Sequence, residues 1–248
     1  MKTIYLLRHA RAEERDEKVP DRERKLVESG IEDARTIAKN LSEQYFKPEL
    51  ILSGDPSRSL KTAKIIAKKL KIKSAEIIIN EKIYPADNAG SLLQIIKELD
   101  DKYSSVMMIG HDPALSALAH MFIKSFTFEL PKAGVFGIEC KKSKWKDIIP
   151  GAGKVKFFMA PMKKKKVEKL RYKLSEIMGD KLEKVISEVI SESNLCKADR
   201  VRKMIKKRSR QIAEDSIRAY EYPSLKTMDE ISLFYKMQET AKAAKDNK

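Results

Sequence analysis

Cysteine is scarce in this 248-residue chain: Cys140 and Cys196 are the only two, and neither stands in a CxxC pair or a Cys/His cluster. That argues against a disulfide framework and a cysteine-based zinc site, and it reads as reduced thiols in an intracellular protein. Long hydrophobic runs are missing as well. The apolar run near the N-terminus extends only from Ile4 to Leu7 before Arg8 interrupts it, too short for the hydrophobic region of a signal peptide, and no later run approaches a membrane span. The expectation is a cytoplasmic protein with no membrane partner. Histidine is the third scarcity, with three in all, so any imidazole chemistry must be drawn from His9, His111 and His120.

What is present is enough apolar material, 42% of the residues, to bury a core across one large or two small domains. Charge is abundant and lopsided, with a formal net of +16. From Met162 onward 23 Lys and Arg face 14 Asp and Glu, a net of +9 that leaves +7 on residues 1–161. The basic excess per residue is therefore concentrated in the last third. A positive field favours acidic partners such as phosphorylated proteins, polyphosphate or nucleic acid, and says nothing of fold.

Short β-rich runs alternate with helix-period segments through the first 125 or so residues. Thr3–Leu7, Leu50–Ser53, Ile77–Asn80 and Ser105–Ile109 read as strands, and Glu32–Gln44, Ser57–Leu70, Ser91–Leu99 and Pro113–Lys124 as helices. Strands separated by crossover-length helices predict a largely parallel, buried sheet. Val135–Cys140 and Val155–Met159 add two strands on either side of a turn-rich PGAG at Pro150–Gly153. After Pro161 a lysine run, Lys163–Lys166, opens a segment without strand signals. Gly179, Ser193-Asn194 and Pro223 punctuate it into three or four helices, with apolar stripes at Val185, Val189 and Ile190 and at Val201, Ile205 and Ile212. The expected division is residues 1–162 as an α/β domain and 163–248 as an all-α basic extension.

Ligands of an open α/β sheet bind beyond the carboxyl ends of its strands, where helix N-termini present their amides. The first strand delivers Arg8 and His9 to that edge. The second leads through SGDPSRSLKTA to Arg58 in the first turn of a helix, and the fourth ends in MIGHDP with His111 just before a helix opened by Pro113. Two arginines and two histidines converging there suit a phosphoryl group: guanidinium donors meet phosphate oxygens bidentately, and a neutral imidazole can act as nucleophile or proton carrier. Each residue has a plainer reading. Arg8 and His9 could be a solvated strand end, Arg58 and Thr62 part of an exposed basic helix, and Gly110-His111 a helix cap. His120 reads as a satisfied core or boundary histidine, Ser53 as a loop-orienting hydroxyl and Trp145 as packing. Arg24 divides evenly between the rim of the pocket and an ion pair with Asp21.

These segments, taken in order, resemble the histidine phosphatase superfamily, and within it the SixA-like phosphohistidine phosphatases. LLRHARAE at Leu6–Glu13 is similar to the RHG signature with Ala10 in place of glycine, and DRERKLVESG at Asp21–Gly30 to D-x-x-R-P-L-x-x-x-G with Lys25 in place of proline. RSLKTA at Arg58–Ala63 resembles R-A-x-x-T-A, and IGHDP at Ile109–Pro113 resembles V-G-H-N-P. IYPA at Ile83–Ala86 and the segment from Trp145 to Gly153 have counterparts too, so the resemblance spans about residues 1–162. It implies a phosphoglycerate mutase-like three-layer sandwich around a mostly parallel sheet. It implies His9 as a nucleophile that is transiently phosphorylated, with Arg8, Arg58 and His111 binding the phosphoryl oxygens, and no metal or other cofactor.

The leaving group narrows the substrate. A sugar or glycerate alkoxide needs a general acid, whereas phosphohistidine expels an imidazole that leaves neutral once protonated. No donor is firmly placed by the sequence: Glu81 and Asp87 follow the third strand, and Glu13 and Asp112 stand nearer the motifs. The expected activity is hydrolysis of phosphohistidine on proteins. The alternatives are hydrolysis of small phosphate esters, or a phosphate- or polyphosphate-binding protein with weak catalysis. The cluster KADRVRKMIKKRSRQ, Lys197–Gln211, holds eight basic residues and one acidic. It is a candidate contact for polyphosphate or nucleic acid, or the solvated face of an amphipathic helix, with no aromatic residue interleaved to stack bases.

Overall fold

Seven consecutive buried or nearly buried residues, KTIYLLR, form the first strand, β1 (Lys2–Arg8), and this absence of alternation marks a strand covered on both faces. The computed structural model describes residues 1–73, 76–84, 88–162, 164–192, 199–218 and 225–246. Beside β1, the chain forms α1 (Glu28–Glu43), β2 (Leu50–Ser53), α2 (Ser57–Leu70), β3 (Ile77–Ile79), α3 (Ala89–Lys97), β4 (Ser105–Gly110), α4 (Ala114–Phe122), β5 (Val135–Cys140) and β6 (Gly153–Met159). The six strands make one sheet in the order β3-β2-β4-β1-β5-β6. Pairings among β3, β2, β4 and β1 are parallel, and β5 and β6 add an antiparallel margin. Helices α1 and α2 pack together, as do α3 and α4, and flank the sheet in the expected sandwich.

Register places the site. Arg8 pairs with Gly110 across the β1–β4 ladder, and Ser53 of β2 pairs with Ile109. The carboxyl ends of the three central strands are therefore level, and the residues that follow them, His9, Gly54 and His111, emerge along one edge. Helix α2 then sets Arg58, Thr62, Ile66 and Leu70 on its buried face at helical spacing.

Contacts divide the chain into two compact units, Met1–Pro161 with Ser224–Lys248, and Met162–Pro223. The chain after residue 162 is thus divided between the two units, because its last segment returns to the sheet. Leu225 forms an antiparallel bridge with Phe158 of edge strand β6, donating to its carbonyl at 2.9 Å and accepting from its N–H at 2.6 Å. A helix, numbered last in the chain, follows over Met228–Asp246. The TMDE run caps it reciprocally: Glu230 N–H donates to Thr227 Oγ1 at 3.3 Å, and Glu230 Oε2 accepts from the Thr227 N–H at 3.1 Å. Ile231 and Phe234 are buried, and the Phe234 ring meets Phe158 edge-on at 5.2 Å.

The second unit consists of α5 (Lys164–Glu192) and α6 (Asp199–Arg218), which pack on each other; the helix at 228–246 is therefore α7. Gly179 does not break α5. A Cβ there would lie 3.0 Å from Arg210 Cγ and 3.2 Å from its Cα, so the glycine permits close approach of α6. Of the expected stripe residues Ile205 is buried as read, but Val185 and Ile212 are exposed, and Val167, Leu170, Leu174 and Ala213 are buried instead. The side chains of Val189, Ile190 and Val201, with Lys163, Ser193-Asn194, Cys196, Lys197 and Pro223, lie outside the described residues. No helix among the described residues is long and apolar enough to cross a membrane.

Candidate active site

His9 follows the last residue of β1, and its backbone is held from both sides. Its N–H donates to the Gly110 carbonyl at 2.9 Å, and the Ala133 N–H bridges the carbonyls of Arg8 and His9 at 3.1 and 3.2 Å. The next residue is held by α2: the Ala10 N–H donates to Thr62 Oγ1 at 3.1 Å, and that hydroxyl donates to the Arg58 carbonyl at 2.7 Å. Thr62 thus ties the histidine loop to the helix that carries Arg58.

His9 is 7% exposed, and its two ring nitrogens have distinct partners. Nδ1 lies 2.8 Å from the Ala10 carbonyl, an acceptor only, so Nδ1 carries the proton. Nε2 is then the unprotonated nitrogen, and it accepts from Arg58 Nε at 3.3 Å. Burial, with Arg58, Arg8 and Lys132 beyond, outweighs the Ala10 contact and lowers the His9 pKa from 6.5 to about 3. The ring is neutral at neutral pH, with its Nε2 lone pair on the Arg58 Nε–H in a cationic cleft.

Arg58 is buried to 3% exposure and paired with Asp21, whose carboxylate accepts from Nη2 at 2.6 Å and whose backbone carbonyl accepts from Nη1. Asp21 also accepts from Arg24 Nε at 2.9 Å and from the Tyr84 hydroxyl. Burial opposes its ionisation, but the hydrogen bonds from Tyr84, Arg58 and Arg24 win, holding the carboxyl well below the usual range. Both readings of Arg24 are therefore met: it pairs with Asp21, reaches the Glu13 carbonyl at 2.7 Å and lines the cleft. The loop carrying Asp21 is stitched to the residues after His9, with Ala12 bridged to Leu26 and the Val27 N–H on the Arg11 carbonyl at 3.2 Å. Gly30 is required there, since a Cβ would stand 2.0 Å from the Arg11 carbonyl oxygen.

Arg8 projects one terminal nitrogen to the Leu130 carbonyl at 2.7 Å and to Asp112 Oδ2 at 3.1 Å. The second contact is an ion pair without hydrogen-bond geometry, and both Asp112 Oδ2 and Arg8 Nε are buried without a hydrogen-bond partner. Asp112 Oδ1 accepts from the Ser116 N–H at 3.2 Å in the first turn of α4. His111 sits beside the Tyr84 ring, 5.4 Å between centroids, and its pKa is lowered by burial first and then by Arg58.

These residues line an open cleft of about 490 Å³, joined by Arg15 and Lys132. Burial and four arginines, Arg8 first among them, push the Lys132 ammonium down, the mark of cations crowded where an anion would relieve them. All five site residues expected from the sequence, Arg8, His9, Arg24, Arg58 and His111, line this cleft. The structure adds Asp21 and Tyr84, which orient Arg58, and Lys132. The sequence suggests Asp21 only as a partner of Arg24, not of Arg58; Lys132 carries no local signal. Of the other donors considered, Asp112 lines the cleft, and Glu13 does not but accepts the Lys25 N–H at 2.9 Å. Asp87 lies outside the described residues. His120 is exposed and bonded to the Phe126 carbonyl at 3.1 Å, away from the cleft lining, while Trp145 is fully buried with its indole N–H on the Tyr103 carbonyl at 2.9 Å.

Residues 4–83, which span β1 to the loop after β3, match the family model of the histidine phosphatase superfamily (branch 1). A solved structure described as the putative phosphohistidine phosphatase SixA from Agrobacterium tumefaciens is 24% identical, with a TM-score of 0.55 over 64% of this chain and 98% of that one. A protein histidine phosphatase SixA complexed with tungstate is 19% identical, also with a TM-score of 0.55, over 64% of this chain and 97% of that one. An uncharacterised chloroplastic protein of Arabidopsis thaliana is 25% identical over 169 residues, 64% of this chain and 77% of that protein. The first 161 residues therefore carry the fold shared with those SixA structures.

Proposed function

We propose that this chain is a phosphatase that takes a phosphoryl group onto His9 Nε2 and passes it to water, and that its substrate is phosphohistidine on a protein. The observation that carries the reading is the tautomer: Nδ1–H is committed to the Ala10 carbonyl, which leaves the Nε2 lone pair in a cleft of cations. Attack of Nε2 on phosphorus breaks the bond to the leaving group, and the proton on Nδ1 makes the ring of the phosphorylated His9 cationic, with the Ala10 carbonyl as acceptor. Arg58, whose Nε lies on His9 Nε2, lines the cleft with Arg8 and His111, and the three would bind the phosphoryl oxygens and stabilise the charge they share in transfer. In the second half, water attacks the phosphorylated His9 and restores the neutral ring.

The choice of substrate rests on the carboxylates. Asp21 is held ionised by Arg24, Arg58 and Tyr84, so it cannot hand a proton to an alkoxide. A phosphohistidine substrate leaves as imidazole and makes the smaller demand. The positive surplus of the cleft and of the exposed basic residues on α6, Lys203, Lys206, Lys207 and Arg208 among them, favours an acidic protein as carrier. The test is phosphate release from a phosphohistidine-bearing protein by wild type and by His9→Ala, beside p-nitrophenyl phosphate. Release from the protein at least tenfold more efficient than from the ester, and abolished by His9→Ala, supports the reading.

One observation favours a second reading, hydrolysis of small phosphate esters. Asp112 lines the cleft, burial raises its pKa against the pull of Arg8, and its Oδ2 has no hydrogen-bond partner. A carboxyl so placed is a proton donor for an alkoxide.

A further inference from the structure

None of the described residues of helix α7 lines the cleft, yet the helix reaches toward Arg8. Two consecutive backbone carbonyls lie between them. The Tyr235 hydroxyl donates to the Glu129 carbonyl at 2.6 Å, and the next carbonyl, that of Leu130, accepts from Arg8 Nη1 at 2.7 Å. The Tyr235 ring also stacks on Phe128, 4.1 Å between centroids and 5° from parallel. The Leu130 N–H is fixed on Ser116 Oγ at 2.8 Å, so the 129–130 peptide, one before the carbonyl that meets Arg8, is held from α4 through its N–H and from α7 through its carbonyl. Burial, then the nearby Asp112 carboxylate, pushes the Tyr235 phenol up, so its O–H remains a donor.

In the segment 126–134, which enters β5, Phe126, Leu130 and Ala133 are buried and the Ala133 N–H is tied to the Arg8 and His9 carbonyls, whereas Glu129 is exposed and its carbonyl is held by Tyr235. Arg8 has little else to orient it. Its Nε is unpartnered, and its contact with Asp112 lacks hydrogen-bond geometry. The Leu130 carbonyl is thus the directional contact that aims the guanidinium.

We propose that Tyr235 is a positioning residue for Arg8, acting through the Glu129–Leu130 carbonyl pair, and that α7 belongs to the phosphate site rather than to a separate extension. The proposal rests on the phosphatase reading for its catalytic consequence but not for its binding one. Losing the hydroxyl leaves the 129–130 peptide held by Ser116 alone, so the Leu130 carbonyl that follows it can shift, and Arg8 then spends part of its time out of line with the phosphoryl oxygen. Both the ground-state oxyanion and the transition state lose that contact.

A double-mutant cycle in the full-length protein tests this, with the dissociation constant of inorganic phosphate measured by calorimetry and kcat and KM measured on p-nitrophenyl phosphate. Tyr235→Phe keeps the stacked ring and removes only the hydroxyl. It is expected to raise the phosphate dissociation constant and KM about fivefold, the scale of one ordinary hydrogen bond, with thermal unfolding little changed. In an Arg8→Lys background the same change should add less than about twofold, because the group it positions is gone. Tyr235→Ala should exceed Tyr235→Phe and collapse in the same way. Unchanged phosphate affinity in Tyr235→Phe, or effects of the two substitutions that multiply, overturns the proposal. A wild type that binds phosphate but turns over no substrate would instead sink the phosphatase reading, and the binding arm of the cycle would still judge Tyr235.

Discussion

Arg58 Nε points at His9 Nε2 from 3.3 Å, and the same guanidinium has its other two nitrogens on Asp21. A charge that close would ordinarily cost the histidine only its proton. Here it also fixes where the phosphoryl oxygen must arrive, because a group bonded to Nε2 would lie against Nε of the arginine.

Replacing Arg58 by lysine therefore should not be conservative. A lysine can reach Asp21 or His9 but cannot hold a fork on one and a third donor on the other. Arg58→Lys is expected to lower kcat/KM about a hundredfold while the protein stays folded, as read by steady-state kinetics beside circular dichroism. Loss of less than about threefold would remove Arg58 from the phosphate site.

The ionisation of His9 predicts a pH dependence. Its folded pKa of about 3 lies below the ordinary 6.5, so between those values the unfolded chain binds the extra proton. Stability from this group is complete above pH 6.5 and is lost as pH falls toward 3. Nitrogen-15 NMR of histidine-labelled protein, assigned by comparison with His9→Ala, should show His9 as the neutral Nδ1–H tautomer from pH 8 down to pH 5. A midpoint near 6.5 would contradict the burial and the cationic surroundings that set its state.

Gly30→Ala tests the stitching of the Asp21 loop. The added methyl group would overlap the Arg11 carbonyl, and backbone must move on one side or the other. The expected result is destabilisation of about 2 kcal/mol or more in denaturant unfolding, together with weaker phosphate binding as Asp21 and Arg58 lose register. A silent substitution would mean that the close approach of α1 to Arg11 does not matter.

Asp112→Asn separates the two substrate readings. If Asp112 serves as a proton donor, turnover of p-nitrophenyl phosphate is little affected because its leaving group needs no acid, whereas turnover of a sugar phosphate falls about a hundredfold. Under the phosphohistidine reading the substitution changes release from the phosphoprotein less than about threefold, because Asp112 then acts only as a partner of Arg8.

Much of this was legible in the sequence, for a physical reason. Parallel strands covered on both faces are near-continuous apolar runs, and Leu50–Ser53 ends where the pattern ends; the antiparallel Val135–Cys140 also keeps the bounds its pattern gave. Residues that follow such strands fall on one edge by topology alone, so Arg8, His9 and His111 could be brought together without coordinates. Arg58 followed from its place in the first turn of α2. Long-range partners could not be read this way. Tyr84 meets Asp21 from 63 residues away and Tyr235 meets Glu129 from 106 away, and neither contact leaves a local pattern. The helical region misled for a related reason: Gly179 carries a breaker's signature, but its role is set by Arg210 on another helix. Ala10, which replaces the expected glycine, is fully buried with its N–H on Thr62 and its carbonyl on His9, so a methyl group is accommodated where the backbone already faces protein.

The central claim is that His9 Nε2 takes the phosphoryl group. Rapid quenching of the wild type with a phosphohistidine-bearing protein, under alkaline conditions that preserve phosphohistidine, followed by mass spectrometry of the peptide containing residue 9, measures this directly. The account predicts phosphate on His9 in wild type within a single turnover, and neither phosphate there nor turnover in His9→Ala. Turnover at the wild-type rate in His9→Ala, or phosphate found on His111 in its place, would contradict it.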